Sequence, residues 1–451
     1  METIQSIKVQ GWAKVLPLCL FALLPLQAQD KLWSLRECED YAVAHNITVK
    51  QREKAVERQA NTLSTARNSR LPDLNGTVGQ NFNFGRGLTS NNVYENKNTT
   101  NTSFQLATSV PLFTGFQIPE NIKVNRLNLE AVTADLEKAK NDIRMQVAQA
   151  YVQILYDMEI AAVAHRQVGI DSMQVVRLQA LVDNGKASVS ELSQQQATLA
   201  SGRLAAIQAD NKYRMSVLTL TQLLELPTPE GFGVVVPSDA QLDHIAALNI
   251  TRPEQVYEEA LSFKPEIRSQ QLRLEGTEHS IKVAKAGYYP KLNLNAGLGS
   301  NYYTVSGLDS DAFGEQLRHN FSQFIGLNLS IPIFNRFSVR NNVRNARVDR
   351  DNQQLTLDNT KKTLYKEIQQ VYYNTLNAQA KERSSKEAVA SSEDAFALMQ
   401  AKYENGKANI TEFNESKNKY LKAQSDYVQA RYEHLYQRAL IEFYRGSELV
   451  F

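Results

Sequence analysis

Three short segments of the chain alternate between apolar and polar residues. Residues 292–298 carry leucine or alanine at every second position with asparagine or glycine between them, and residues 325–331 alternate in the same way. Residues 104–110 do so less regularly. A period of two places the apolar side chains on one face of a β-strand. We therefore predict strands over about residues 102–113, 291–303 and 321–334. A fourth strand, over about residues 74–85, follows Pro72, where proline ends the preceding helix. Polar, glycine-rich loops lie between the paired strands, at residues 85–101 and 300–320.

Two much longer segments, residues 117–183 and 338–404, are rich in helix-forming residues and contain no proline beyond the first turn. We predict a helix over each, about 100 Å long at ~1.5 Å per residue. Shorter helices follow over about residues 188–225 and 409–445. The last of these has a seven-residue period, with Phe413, Tyr420, Tyr427, His434 and Ile441 in register. Such a period indicates helices that pack as a coiled coil.

The two halves of the chain repeat each other at an offset of 221 residues. The tetrapeptide Asn-Gly-Lys-Ala occurs at residues 184–187 and again at 405–408. At the same offset, Ser-Val-Pro-Leu-Phe at residues 109–113 corresponds to Ser-Ile-Pro-Ile-Phe at 330–334. The sequence thus predicts an α+β fold in which a helix, two strands, a long helix and a second helix occur twice. We assign the repeats to residues 29–226 and 263–451, joined by a proline- and glycine-rich connector at residues 227–262.

The N-terminus has the features of a secretory signal peptide. Lys8 and Lys14 precede an apolar run over residues 15–26, and the small residue Ala28 follows. We predict a signal peptide over residues 1–28, with a membrane anchor as the weaker alternative because the run is short. Cleavage would remove Cys19 and leave Cys38 as the single thiol, so the exported chain has no internal disulfide.

Composition excludes several classes of protein. Lys and Arg number 50 against 48 Asp and Glu, and this near-neutral charge disfavours binding to nucleic acid. A mean hydropathy of −0.41 is too polar for a bundle of transmembrane helices. The six histidines and two cysteines show no metal-binding spacing, and no nucleotide-binding loop is complete. We predict a protein that is not an enzyme and that uses no cofactor or metal.

Four half-apolar strands per chain are too few to close a membrane barrel, since the smallest have about eight and lipid tolerates no open sheet edge. If the strands cross a membrane, several chains must share one barrel, and the sequence leaves their number open. The alternative is a periplasmic coiled-coil scaffold in which the strands form a soluble sheet.

The duplicated order of elements resembles the TolC-like outer-membrane efflux proteins. So do the strand ends at residues 109–113 and 330–334 and the Tyr-x-x-Gly turn formed by Tyr403 and Gly406. The resemblance implies a homotrimer whose twelve strands form a barrel in outer-membrane lipid and whose helices continue as a periplasmic tunnel. It also implies a periplasmic adaptor protein and, through it, an inner-membrane pump. The chain would be the passive exit duct of a tripartite efflux or type I secretion system, with the cargo undetermined.

The same resemblance suggests three groups of functional residues near the two inter-helix turns. The turns themselves would contact the adaptor, although they also suit simple helix ends; they comprise Asn184, Gly185, Lys186, Asn405, Gly406 and Lys407. Glu412 and Glu415, with Glu191 in the first repeat, would line the narrowest part of the pore, the alternative being a solvated helix face. Tyr403 would tether the closed gate or simply pack in the seam. The family often has a basic residue where Ala408 stands, so the gating bonds are not transferred.

Overall fold

The computed structural model describes residues 31–88, 92–246 and 250–449. The predicted signal peptide lies outside these residues. The helices are α1 Leu35–His45, α2 Ile47–Asn68, α3 Gln117–Asp183, α4 Val189–Leu223, α5 Asp239–Ala246, α6 Pro253–Phe263, α7 Pro265–Lys285, α8 Phe313–His319, α9 Ser338–Glu404 and α10 Ile410–Tyr444. The strands are β1 Lys31–Trp33, β2 Asn75–Asn83, β3 Arg86–Leu88, β4 Tyr94–Asn96, β5 Thr99–Phe113, β6 Phe232–Val234, β7 Lys291–Val305 and β8 Ser322–Ser330. Within the described part of the chain, no helix is both long and apolar enough to span a membrane.

One antiparallel sheet contains the four predicted strands in the order β2-β5-β7-β8. The two repeats meet at the centre of this sheet, where Leu106 of β5 lies opposite Leu298 of β7. Each central strand has 15 residues, a length of about 50 Å at ~3.3 Å per residue. The edge strands β2 and β8 have 9 residues each. The sheet is therefore a shared product of both repeats.

The segments between paired strands are more ordered than the predicted loops. β3 and β4 form a small antiparallel hairpin within the first loop. In the second, β7 continues to Val305 and α8 follows, with Gln316 donating to the backbone oxygen of Tyr303 at 3.0 Å. The prediction of loops was wrong here. The polar residues suggested that the backbone N–H and C=O groups of these segments bond to water, whereas a hairpin and a short helix satisfy these groups within the protein.

The last strand ends earlier than its sequence pattern suggested. β8 stops at Ser330, four residues before the predicted end, whereas its counterpart β5 runs through to Phe113 with a bulge after Pro111. A proline has no N–H to donate, so a strand interrupted by Pro332 needs other pairings to continue. β5 still pairs with β7 as far as Phe113, whereas β8 lies at the sheet edge and its described partner β7 begins at Lys291, opposite Ser330.

Two 67-residue helices, α3 and α9, lead from the sheet to the opposite end of the molecule. Each begins after two consecutive residues with left-handed backbone, Gly115 and Phe116 in the first repeat and Arg336 and Phe337 in the second. α4 and α10 return antiparallel to them. Helix packing rather than intrinsic propensity keeps such long helices stable.

The main apolar core lies partway along the helices, where the N-terminal segment joins them. Cys38 and Val49 pack there with Ile154 of α3 and Leu220 of α4. β1 pairs in parallel with β6, which brings the connector to the same place. The buried Tyr151 hydroxyl donates to the backbone oxygen of Val235 at 2.6 Å and so fixes the connector to α3.

Candidate functional site at the helical tip

The turn between α3 and α4 closes α3 with a left-handed glycine. Gly185 has φ +67°, and its N–H donates to the Val182 oxygen at 2.9 Å. The Lys186 N–H reaches back to the Leu181 oxygen at 2.7 Å. This bond pair is the Schellman motif, which satisfies carbonyls that the last helical turn leaves unpaired. The Asn184 side chain adds a bond from Nδ2 to the Ala180 oxygen at 2.7 Å.

The turn between α9 and α10 repeats this geometry. Gly406 also has φ +67°, and the Lys407 N–H donates to the Lys402 oxygen at 2.8 Å. Asn405 donates through Nδ2 to the Ala401 oxygen at 2.8 Å. Lys186 and Lys407 are both exposed, and neither forms an ion pair within the described residues. The tips thus present two similar, rigid turns, each with one solvated lysine.

Two of the predicted pore acids cap the helices that start after these turns. Glu412 accepts from the Asn409 N–H at 3.0 Å while Asn409 Oδ1 accepts from the Glu412 N–H at 2.9 Å. Ser188 and Glu191 form the equivalent capping box on α4, at 3.4 and 3.1 Å. A capping box satisfies two N–H groups at a helix start. These carboxylates therefore have a structural role whether or not they line a pore.

Glu415 lies one turn further along α10, on the same side as Glu412. It is exposed and pairs with Lys419 at 2.8 Å. The hydrogen bond from Lys419 and its positive charge lower the pKa of Glu415, so the carboxylate is ionised at neutral pH. The structure brings Glu412 and Glu415 together on α10, whereas Glu191 lies on α4.

Tyr403 is half-buried in an apolar cluster just above the turns. Its ring stacks on Phe413 with centroids 5.0 Å apart, and the guanidinium carbon of Arg177 lies 5.2 Å from its centroid. Arg177 also donates to the Glu404 backbone oxygen at 2.9 Å, which links α3 to the end of α9. Burial raises the pKa of Tyr403, and Arg177 opposes this. Packing within the chain therefore accounts for the position of its ring.

A family model for outer membrane efflux proteins matches residues 40–225 and 256–446, which together make up most of the chain and both repeats. The chain belongs to the outer membrane efflux protein family. It is a protein of the outer membrane with a long periplasmic extension. Members of this family are channels rather than enzymes, and no cluster of metal-binding side chains occurs in the residues that the structure describes.

Named relatives of this efflux protein are distant in sequence. The outer membrane protein TolC of Salmonella enteritidis is 21% identical over 88% of this chain and 79% of its own length. The outer membrane efflux protein BepC of Brucella suis is 24% identical over 65% of this chain, a region that spans 59% of BepC. The crystal structure of VceC from Vibrio cholerae superposes with a TM-score of 0.73 at 16% identity, covering 92% of this chain and 97% of that one. The likeness to VceC shows the fold.

A buried ionic network in this efflux protein was not predicted from the sequence. Lys417 of α10 forms a salt bridge with Asp171 of α3, and both side chains are 0% exposed. Gln195 of α4 donates to Asp171 Oδ1 at 3.1 Å and accepts from Asn414 at 3.0 Å. The network joins the two repeats a few turns above the tips. The only feature of the sequence that could have indicated this network is that Lys417 lies four residues after the heptad position Phe413. Nothing in the repeat indicates that Lys417 contacts Asp171.

Proposed function

We propose that this efflux protein is one third of a homotrimeric exit duct that spans the outer membrane and the periplasm. Three four-stranded sheets would close one twelve-stranded barrel in lipid, and the helices of the three chains would continue it as a tunnel. The duct is passive, and a periplasmic adaptor and an inner-membrane pump, in a tripartite efflux or type I secretion system, select the cargo and supply the energy.

The observation that carries this proposal is the open sheet at one end of the long helices. Among the described strands, β2 and β8 each pair along one edge, and all nine residues of β8 are exposed in the single chain. Its apolar side chains are among the most exposed of their kind, Ile325 at 77%. Lipid tolerates no open edge, and four strands cannot close on themselves. Pairing β8 of one chain with β2 of the next removes both edges and turns the apolar face to lipid.

At the other end, the helical tip has three proposed functions. The turns at Asn184–Lys186 and Asn405–Lys407 contact the adaptor, supported by their exposure and their solvated lysines. Three copies of Glu412 and Glu415 form a ring of six carboxylates at the narrowest point, with Glu191 beside it, and this ring attracts cations.

Tyr403 acts as a tether between helices at the gate. Tyr403→Phe removes only the hydroxyl. If Tyr403 is a tether, the resting conductance of the variant should be higher. If its ring only packs between helices, the resting conductance should not change.

Assembly and membrane location test the duct directly. Expressed with its native N-terminus, the chain should fractionate with the outer membrane and run as a trimer on unheated detergent gels, then as a monomer after boiling. The purified trimer should conduct ions in planar bilayers. A soluble periplasmic monomer without conductance would refute the duct and favour the coiled-coil scaffold.

The adaptor contact is tested by cross-linking in cells. Lys186→Cys and Lys407→Cys each place an exposed thiol on one turn, and the native Cys38 is buried and does not compete. A thiol-to-amine reagent should join both variants to a periplasmic adaptor. Lys50→Cys, an exposed position on α2 far from the tip, is the matched control. Equal capture from all three positions, or capture from Lys50→Cys alone, contradicts the contact.

A further inference from the structure

Basic side chains are concentrated where the sheet meets the helices. The chain segments at this junction, residues 64–74, 114–126, 280–291 and 335–347, contain eleven Lys and Arg but only two Asp and Glu. The described residues beyond the other end of the sheet, 84–88, 92–98 and 305–321, contain three basic and four acidic residues. The formal charge of the whole chain is only +2. The two ends of the sheet therefore differ strongly in charge, and the helical end is positive.

Both acids at the junction already have partners. Asp73 accepts from the Ser109 N–H at 2.7 Å and from Asn75 Nδ2 at 3.0 Å. Glu120 pairs with Lys123 at 2.8 Å. Four arginines at the start of α9 are exposed and form no ion pair within the described residues; they are Arg336, Arg340, Arg344 and Arg347. These guanidinium groups can therefore bind an anion from outside the chain.

Three of these arginines share one side of α9, here called the arginine face. Arg340, Arg344 and Arg347 follow one another at spacings of four and three residues, which places them on the same side of a helix. Arg347 lies about five turns before Tyr365, on that same side, and the Tyr365 hydroxyl donates to Glu254 of α6 at 3.3 Å. A helix in the lumen would obstruct the proposed duct, so α6 lies on its outer surface. The arginine face is therefore turned outward as well.

Large apolar side chains precede the arginine face. Between the end of β8 and the start of α9, Ile333, Phe334 and Phe337 are 95, 71 and 52% exposed. The guanidinium carbon of Arg340 lies 4.2 Å from the centroid of the Phe337 ring, which leaves the in-plane N–H groups available as donors. Exposed aromatic rings beside basic groups are typical of the level at which lipid tails meet headgroups.

The arginine face also lies at the depth of the headgroups. At ~1.5 Å per residue, its three arginines lie about 3, 9 and 14 Å from the start of α9 at Ser338. The headgroup layer is about 5–7 Å thick on each side of a bilayer, and long basic side chains extend towards it. The potential of an anionic membrane surface reaches about 8–10 Å further. The whole face is therefore within reach of anionic headgroups, and guanidinium groups suit phosphate because they can donate two parallel hydrogen bonds to it.

We propose that the arginine face of α9 binds the phosphate groups of anionic phospholipids in the periplasmic leaflet of the outer membrane. This binding rests on the proposed duct, because the sheet must lie in lipid. The guanidinium groups donate hydrogen bonds to phosphate oxygens, while Phe334 and Phe337 lie among the acyl chains. These contacts fix the depth of the sheet in the membrane.

Native mass spectrometry of the detergent-solubilised full-length protein tests the lipid preference. Dioleoylphosphatidylglycerol has a net negative charge and dioleoylphosphatidylcholine has none, so the first should bind at least about tenfold more tightly. Inorganic phosphate at the same concentration should not displace it. Equal binding of the two lipids overturns the proposal and leaves an acidic protein segment as the occupant, and displacement by phosphate overturns it too. The same spectra give the oligomeric state, so absence of a trimer contradicts the duct separately.

Two sets of substitutions locate the binding. Gln at all three positions of the arginine face should weaken phosphatidylglycerol binding at least about tenfold and leave phosphatidylcholine binding unchanged. The matched control removes the same charge from exposed positions further along α9 and should leave both unchanged; it combines Lys362→Gln, Arg383→Gln and Lys386→Gln. Unchanged phosphatidylglycerol binding in the first variant, or an equal loss in both, refutes the arginine face.

A single substitution decides the question if the triple variant does not fold. Arg344→Gln changes one exposed side chain and should weaken phosphatidylglycerol binding about fivefold. Unchanged binding in this variant also refutes the arginine face.

Discussion

At the scale of single residues, the tip shows how one side chain can serve the fold and the proposed pore together. Glu412 closes the capping box of α10 with its carboxylate, while Glu415 one turn later makes only an exposed pair with Lys419. The start of α10 therefore depends on the side chain of Glu412 and does not depend on that of Glu415. The two acids therefore differ in what their removal would do to the fold.

Charge and capping can be separated at Glu412. Gln also serves in a capping box, so Glu412→Gln with Glu415→Gln removes the negative charge and keeps the helix start. We expect the double variant to lose cation preference and divalent-cation block in planar bilayers, with an unchanged circular dichroism spectrum. The control is Glu53→Gln with Glu57→Gln on α2, which removes the same charge from an exposed helix. Unchanged selectivity in the tip variant would exclude these acids from the pore lining.

The buried pair of Lys417 and Asp171 gives a second residue-scale prediction. Lys417→Met leaves a buried carboxylate unpaired and should cost about 3–5 kcal/mol of unfolding free energy. Adding Asp171→Leu replaces the whole pair with apolar groups and should recover most of that loss. Urea unfolding followed by helical circular dichroism measures both. The interpretation fails if the double variant is as unstable as the single one.

At the scale of elements, the critical point is where strand becomes long helix. The chain leaves β5 through Gly115 at φ +63°, and a Cβ there would lie 2.7 Å from the Ala286 oxygen and from the Tyr289 Cβ. The same junction in the second repeat has Arg336 at φ +51°. The backbone conformation is thus common to both repeats, and glycine is needed where another segment packs closely.

Gly115→Ala should destabilise the protein by about 1–3 kcal/mol, through backbone strain and the close contacts. Gly169→Ala is the matched control, because Gly169 lies inside α3 and an alanine Cβ there would meet only open space. It should stabilise α3 by about 0.5–1 kcal/mol, since alanine favours a helix interior. Chemical unfolding compares the two variants. Equal effects would show that the junction imposes no special constraint.

At the scale of the whole molecule, the open sheet determines how chains must associate. If β8 of one chain pairs with β2 of the next, cysteines at Thr77 and Asn328 with a short bifunctional linker should produce covalent trimers. Ser109 and Asn295 lie opposite each other within one sheet, so cysteines there should link β5 to β7 and leave a monomer. Gel electrophoresis after boiling distinguishes the two. Monomers from the edge pair would rule out this mode of closure.

Much of the element order could be predicted from local pattern. The bounds of α3 and α9 in the structure coincide with residues 117–183 and 338–404, because a helical composition without proline beyond the first turn ends at an Asn-Gly turn in each repeat. The strand cores also follow their period of two. The hairpin β3–β4, helix α8 and the early end of β8 do not, since each depends on which neighbours complete its hydrogen bonds.

The sequence by itself determined the duplicated architecture, the apolar strand faces and the turns, because period, proline and glycine act within a few residues along the chain. Only the tertiary structure decided that Lys417 of α10 meets Asp171 of α3 and that Arg177 of α3 reaches the end of α9. These contacts join residues that lie far apart in the sequence. Burial and hydrogen bonding arise from packing in three dimensions, and no local pattern encodes them.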